Sequence, residues 1–329
     1  MDDLQSIIRI PRIWDSLASV EGRLLEAATA DDAYLTKIAQ HLLLAGGKRF
    51  RPLLALLAAE FGPEDDGRPV EAAVSVELIH VGSLYHDDVI DESDTRRGAT
   101  SVNANWSNTV AILAGDFLMA RASEVAATHL SQESVRLLAA TYAELVEGQT
   151  RELQLEGDFT HGFDEYEKVI GGKTASLVRT SARLGAMAAE APPETVEALS
   201  TWGWEVGMVF QIADDALDLV ADESTIGKPA GSDIREGTFT MPVLAAAAGP
   251  DGERVRELLE PGIPYDDDTV TEVISLVRRG GHIEDALTAA TDRLTKAEAA
   301  LESIEPGLAH EILTELGTYL LARVESARD

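Results

Sequence analysis

Two six-residue stretches could do chemistry in this chain: His86–Asp91, reading HDDVID, and Ala213–Asp218, reading ADDALD. Each sets an aspartate pair first and a further aspartate four residues after the first of the pair. Residues four apart share one face of a helix, with Cβ atoms roughly 5–6 Å apart. Asp87 therefore points with Asp91, and Asp214 with Asp218. Like charges at that spacing cost an isolated helix about 0.2–0.5 kcal/mol per pair, and the chain accepts the cost twice, in segments that are otherwise apolar. A bound divalent cation offsets it. Hard carboxylate oxygens suit Mg²⁺, which is held by one or two carboxylates together with the phosphates of a substrate. A solvated acidic helix end accounts for one copy of the pattern more easily than for both.

Three basic or glycine-bearing stretches accompany the acidic ones: Gly46–Pro52 (GGKRFRP), Arg96-Arg97-Gly98 directly after the first acidic stretch, and Gly172-Lys173-Thr174. Lys48, Arg49 and Arg51 gather at a turn into a helix, where backbone N–H groups favour anions. Each stretch alone reads as surface charge. Beside acidic metal sites, in a chain of net charge −31, they point to a polyanion bridged by cations. Diphosphate fits, since metal ions neutralise part of its charge and Arg and Lys the remainder.

The elements that must position these groups read as helices almost throughout, with no alternating run rich in Val, Ile and Thr of the kind a strand needs. Helices are expected over Leu4–Ala28, Asp31–Ala45, Phe50–Phe61 and from Pro69 to about Asp91, the last apolar nearly all round and therefore central. A polar loop, Glu92–Ser101, leads to helices over Trp106–Leu130, Gln132–Glu156, Phe163–Ala189 and Pro193–Asp222. Gly227–Gly237 is a glycine-rich loop of the kind that wraps phosphate, and shorter helices fill the remainder. No linker divides the 329 residues, so one all-α domain is expected over residues 1–329.

Composition narrows the class. Hydrophobic content of 45% supports a sizeable core, while the longest apolar runs, Pro52–Ala59 and Pro242–Ala248, are too short to span a bilayer. The acidic N-terminus is unlike a secretory signal, and the absence of cysteine rules out disulfides and thiolate metal sites. With 58 acidic against 27 basic side chains, the chain is repelled by nucleic acid and by anionic membranes. A cytoplasmic protein with no nucleic-acid partner and no stable membrane insertion is the simplest reading.

Taken together, GGKRFRP, ELIHVGSLYHDDVIDESDTRRG, GDFL (Gly115–Leu118), GGKTASL, FQIADDALD and GKPAGSDIREG resemble the trans-isoprenyl diphosphate synthases, the polyprenyl synthetase family, in family order from residue 46 to about 242. The resemblance implies a single-domain isoprenoid synthase bundle around a central cavity, working as a homodimer. It implies three Mg²⁺ per active site, Mn²⁺ being an alternative, held by Asp87 and Asp91 with Asp88 assisting, and by Asp214 supported by Asp215 and Asp218. Arg96, Lys173 and Lys228 would contact an allylic diphosphate, and Lys48, Arg51, His80 and Arg97 a metal-free isopentenyl diphosphate. His80 would otherwise read as a core histidine. Thr174 and Gln211 would put oxygens beside the reacting carbon. The implied reaction joins the two substrates head-to-tail and trans through an allylic cation. One departure is Thr238, where the family has a lysine after the Glu-Gly of the loop; Arg235 is a possible stand-in.

Product length follows from Gly82 and Ser83. In the resembling family, bulky aromatics near these positions stop growth at fifteen or twenty carbons; both residues are small here, which implies a product longer than geranylgeranyl diphosphate. Other readings stay open at this point. A short-chain farnesyl or geranylgeranyl synthase differs only in length. An HD-type phosphohydrolase is mimicked by His86-Asp87, and a terpene cyclase shares the first acidic motif. A non-catalytic partner subunit would have lost a motif, and both are intact.

Overall fold

The structure is a computed structural model that describes residues 2–63, 66–220, 230–250 and 252–327. It is all-α: among the described residues the only strands are two two-residue pieces. The chain forms two compact units, one of Met1–Tyr142, Leu177–Ser200 and Ser303–Ile312, the other of Ala143–Ser176, Thr201–Glu302 and Leu313–Asp329. No helix among the described residues is long and apolar enough to cross a membrane.

The first unit is built on α6 (Arg68–Ile90), which follows α1 (Asp2–Ile7), α2 (Pro11–Ala27), α3 (Ala33–Ala39), α4 (His41–Leu44) and α5 (Phe50–Ala59). Pro11 occupies the first turn of α2, where its missing N–H costs nothing, so the helix expected over Leu4–Ala28 divides there. Asp32 caps α3, its carboxylate accepting from Tyr34 N at 2.7 Å and Leu35 N at 2.9 Å. Helix α6 is buried on every side by α2, α5 and α8 (Asn108–His129). Small residues let the helices close on it. A Cβ on Gly115 would stand 2.3 Å from His86 Nε2, and one on Gly82 would stand 3.1 Å from the Gly115 carbonyl.

Between α6 and α8 lies the short α7 (Val102–Asn105), preceded by an antiparallel pair, β1 (Thr95–Arg96) and β2 (Ala99–Thr100). The polar loop expected over Glu92–Ser101 is thus a tight hairpin. Its turn residues, Arg97 (φ 54°) and Gly98 (φ 74°), both sit in the left-handed region that a two-residue hairpin of this hand requires.

The second unit takes in the later part of α9 (Gln132–Leu155), α10 (Phe163–Ile170), most of α12 (Pro193–Val220), and α13 to α17: Ser232–Arg235, Met241–Ala248, Gly252–Leu259, Asp267–Arg279 and His282–Leu301. Helix α18 (Leu308–Ser326) supplies Val324, which packs with Ala213, Ala216 and Leu217 of α12. Helix α14 is apolar all round and buried over residues 241–247, as its sequence demands. Arg278 of α16 donates to the Leu219 carbonyl at 2.8 Å, covering a carbonyl at the C-terminal end of α12.

The helix expected over Phe163–Ala189 is not continuous. Gly171–Ala175 forms a π turn between α10 and α11 (Ser176–Ala188). Gly172 and Gly148 explain it: a Cβ on Gly148 would stand 2.4 Å from Lys173 N, and one on Gly172 would stand 2.9 Å from the Glu144 carbonyl. Two backbones meet where side chains would separate them, and the extra residue of a π turn re-aims Lys173 and Thr174.

Candidate active site

In the first unit the acidic stretch closes α6. The helix ends at Ile90, Asp91 N still bonds to the Asp87 carbonyl at 2.8 Å, and Ser93 N bonds to the Asp88 carbonyl at 3.0 Å. Carboxylates at a helix C-terminus face the negative end of its dipole, a cost on top of their mutual repulsion. Asp88 is completely buried, and Arg96 from the hairpin donates to its Oδ1 at 2.6 Å. Burial pushes the Asp88 carboxyl up from the usual range; Arg96 pulls it down and Asp91 pushes it up again. Among the described residues, the buried Asp88 Oδ2 has no hydrogen-bond partner.

Beside it, the glycine turn and α6 assemble a basic cluster. Gly46 (φ 86°), Gly47 (φ 151°) and Arg49 (φ 50°) bend the chain into α5. Arg49 is buried and consumed by structure: it donates to Glu21 at 2.6 and 3.0 Å, to Glu77 Oε1 at 2.9 Å and to the Leu43 carbonyl at 2.9 Å. Lys48 stands exposed. Arg97 reaches back from the hairpin turn to the Gly46 carbonyl at 2.6 Å and lies 3.6 Å from Glu77. His41 Nε2 donates to the Thr100 carbonyl at 2.7 Å, which pins the hairpin to α4. Arg51 Nη1 lies 3.4 Å from His80 Nε2, and the buried Arg51 Nε has no partner among the described residues.

Electrostatics mark this cluster as short of negative charge. Burial pushes the Arg51 guanidinium down to about 10, with Arg97 adding to the effect and Glu77 opposing it. His80 is held well below the usual imidazole range, first by burial and then by Arg51, Arg97, Arg49 and Arg96. It is therefore neutral at physiological pH, with one ring nitrogen able to donate. A desolvated arginine with an unsatisfied N–H beside a neutral histidine is an arrangement that an anion completes.

In the second unit, Asp214 is exposed while Asp215 and Asp218 are buried. Tyr166 donates to Asp215 Oδ2 at 2.5 Å and Gln211 Nε2 to Asp215 Oδ1 at 2.8 Å. Thr174 Oγ1 donates to Gln211 Oε1 at 2.7 Å. Burial holds Asp215 well above the usual carboxylate range, and Asp233 and Asp214 push it further. Asp218 braces the loop: its Oδ2 accepts from Asp233 N at 3.3 Å and its carbonyl from Gly231 N at 2.9 Å. Lys173 pairs with Glu152.

Most expected site residues thus fall into two sets, each brought together within its own unit. Lys48, Arg51, His80, Asp87, Asp88, Asp91, Arg96 and Arg97 lie in the first, and Lys173, Thr174, Gln211, Asp214, Asp215 and Asp218 in the second. Lys228 lies outside the described residues. Two expectations need correction. Gly82 does not sit on an open path beside Ser83; it faces α8, where a Cβ would stand 3.1 Å from Met119 Cε. Arg235 does not stand in for the lysine replaced by Thr238. Its guanidinium donates to the Ala230 carbonyl at 2.6 Å and to Asp267 at 2.8 Å, so it braces the loop. Thr238→Lys should therefore retain turnover and lower the KM for the allylic diphosphate severalfold, measured by steady-state kinetics. Collapse of turnover would mean that the loop has no room for the ammonium. Tyr166, Glu77 and Glu152 were missed, because residues 21 to 49 positions from their partners leave no mark on local periodicity.

The residues fit a metal. Asp88 Oδ2 is an orphaned carboxylate oxygen, all donors nearby are hard, and like charges crowd both acidic stretches. Among the described residues no three His, Asp or Glu side chains form a ready-made cage. That suits an ion that keeps substrate oxygens among its ligands.

Carboxylates gathered on two helices, with a desolvated Arg–His cluster beside the first, make a helical site suited to phosphorylated substrates. The particular family follows from comparison with known proteins. The Polyprenyl synthetase family model matches residues 32–277, and the chain belongs to that family. It is 44% identical to the nonaprenyl diphosphate synthase of Mycobacterium tuberculosis over 280 residues, 84% of this chain and 83% of that one. The crystal structure of polyprenyl synthase from Caulobacter crescentus complexed with calcium and isoprenyl diphosphate superposes with a TM-score of 0.90 at 32% identity, covering 97% and 98% of the two chains. That of geranylgeranyl pyrophosphate synthase from Corynebacterium glutamicum, complexed with calcium and isoprenyl diphosphate, gives 0.85 at 41% identity, covering 95% and 96%. The enzyme is a trans-prenyltransferase.

Proposed function

We propose that this enzyme condenses isopentenyl diphosphate with an allylic diphosphate and releases a trans-polyprenyl diphosphate longer than geranylgeranyl diphosphate. The Arg51–His80–Arg97 cluster carries the reading: it is a desolvated cationic site with an unsatisfied N–H, fitted to a diphosphate. Lys48, Arg51, His80 and Arg97 bind isopentenyl diphosphate. Arg96, Lys173 and Lys228 contact the allylic diphosphate. Asp87, Asp91, Asp214 and Asp218 would hold three Mg²⁺, with Asp88 and Asp215 in support. Bound Mg²⁺ supplies positive charge against the diphosphate as the allylic C–O bond breaks.

The cationic side chains stabilise the departing diphosphate, and the oxygens of Thr174 and Gln211 face the allylic cation. The double bond of isopentenyl diphosphate adds to that cation. A proton then leaves to the released inorganic diphosphate, and the chain is one isoprene unit longer. Buried walls keep water from quenching the cation.

Residues 1–329 act as one domain in this reading, since the family match at 32–277 takes in parts of both units and each unit is assembled from three separate stretches. We infer a homodimer, for which the exposed Ile112 and Leu113 of α8 offer apolar surface. A cytoplasmic location rests on the sequence alone.

A second reading, a geranylgeranyl diphosphate synthase, draws on the 41% identity to the Corynebacterium enzyme. Product analysis separates the two: incubation with isopentenyl diphosphate and farnesyl diphosphate should give prenyl diphosphates of thirty or more carbons, whereas a final product of twenty favours the second. Diphosphate release from farnesyl diphosphate alone would instead indicate a cyclase or hydrolase. The HD-type alternative has lost its footing, because His86 turns from Asp87 to α8, with Nε2 at 3.2 Å from the Ile112 carbonyl and 3.4 Å from Asp116.

A further inference from the structure

Thr174, Gln211, Asp215 and Tyr166 form one chain of hydrogen bonds across the π turn, α12 and α10, and the chain has a direction. A carboxylate only accepts, so Asp215 draws N–H from Gln211 and O–H from Tyr166. Gln211 must then present its amide nitrogen to Asp215 and its oxygen to Thr174. Thr174, facing a carbonyl-type oxygen, must donate. Its single hydroxyl proton is thereby turned inward, and its lone pairs are left for whatever lies on its other side.

We propose that Tyr166 is a positioning residue that fixes this direction, so that Thr174 presents lone pairs and not a proton to the allylic carbon. The proposal rests on the prenyl-transfer reading, and it adds a residue that makes no contact with substrate. Tyr166 is 4% exposed and lies seven residues before Lys173, at the far end of the chain of bonds from Thr174. Its 2.5 Å bond is in the short range of a hydroxyl donating to a charged oxygen. Among the described residues, the side-chain donors to the buried Asp215 are these two neutral groups. Losing the Tyr166 donor releases one oxygen of the carboxylate, which is then free to turn away from Gln211. With the carboxylate turned, nothing holds the Gln211 amide nitrogen in place, Gln211 is free to flip, and Thr174 is free to turn its proton toward the cation. Direction, not distance, is what Tyr166 protects.

The test is a double-mutant cycle between Tyr166→Phe and Thr174→Val, with melting temperature and substrate KM measured alongside kcat. Tyr166→Phe should lower kcat by about ten- to a hundredfold, with KM for both diphosphates within about twofold and the helical fold retained. In the Thr174→Val background, where no hydroxyl remains to be oriented, the same change should cost less than about threefold. Thr174→Ser, which restores a hydroxyl, should restore the sensitivity. An equal loss in both backgrounds, or a loss seen in KM or melting temperature and not in kcat, assigns Tyr166 to packing and overturns the proposal. If the wild-type protein makes no condensation product at all, the prenyl-transfer reading fails first, and the cycle is read only where wild-type turnover is present.

Discussion

Asp87→Ala and Asp214→Ala are each expected to lower turnover by about a thousandfold or more, equivalent to about 4 kcal/mol at about 1.4 kcal/mol per tenfold, while leaving the helices intact. Asp87 sits in the last turn of α6 and Asp214 stands exposed on α12, so neither is needed to fill a core. Asp87 opposes the dipole of its own helix, and Asp214 repels Asp215. Neither side chain fills the core, so the helical fold should persist and the melting temperature should change little. Lost turnover with unchanged stability marks a residue kept for chemistry. Turnover should also vanish with EDTA and return with Mg²⁺ or Mn²⁺. Near-normal turnover in either variant at saturating Mg²⁺, compared by helical circular dichroism and product formation, would remove the acidic stretches from the mechanism.

Much of this site was legible in the sequence because its groups come in runs. Asp87 with Asp91, and Asp214 with Asp218, announce themselves by spacing alone, and Pro69 and Asp32 mark helix starts that the structure keeps. Pro11 marks a break by the same rule, although the apolar pattern continues through it. The π turn had a signal, Gly171-Gly172, but only the approach of Gly148 from α9 gives that pair a meaning, and Gly148 lies 24 residues before Gly172. The hairpin at Thr95–Thr100 was hidden for another reason. Its strands are two residues each, and a non-glycine residue, Arg97, occupies a left-handed position. Within GGKRFRP, sequence could not divide the labour. Arg49 and Arg51 look alike on paper, yet Arg49 is neutralised by Glu21 and Glu77, while Arg51 keeps a buried N–H in reserve. What decides the role of a charge is its distant partner, and that is fixed by packing.

The second large effect concerns product length. In the proposed function the allylic diphosphate binds at the acidic end of α6, and a growing chain would then run away from Asp87 along that helix toward its Arg68 end. Ser83 stands four residues back from Asp87, about 6 Å lower at 1.5 Å per residue. Its side chain keeps slight exposure, 7% by residue, and its hydroxyl is quietly satisfied by the His80 carbonyl at 2.8 Å. Neither neighbour competes for the role. Gly82 faces α8, and Tyr85 is fully buried with its hydroxyl donating to the Ile38 carbonyl at 2.8 Å. Ser83→Phe should therefore shift the product to fifteen or twenty carbons while the first condensation keeps most of its rate. Gly82→Ala makes the contrasting control. Its added methyl meets the Gly115 carbonyl and Met119, so it should lower the melting temperature and leave the product distribution where it was. Chain-length analysis of both variants beside the wild type decides the matter. A wild-type enzyme that stops at geranylgeranyl diphosphate, or a Ser83→Phe variant with an unchanged distribution, would take Ser83 off the path of the growing chain.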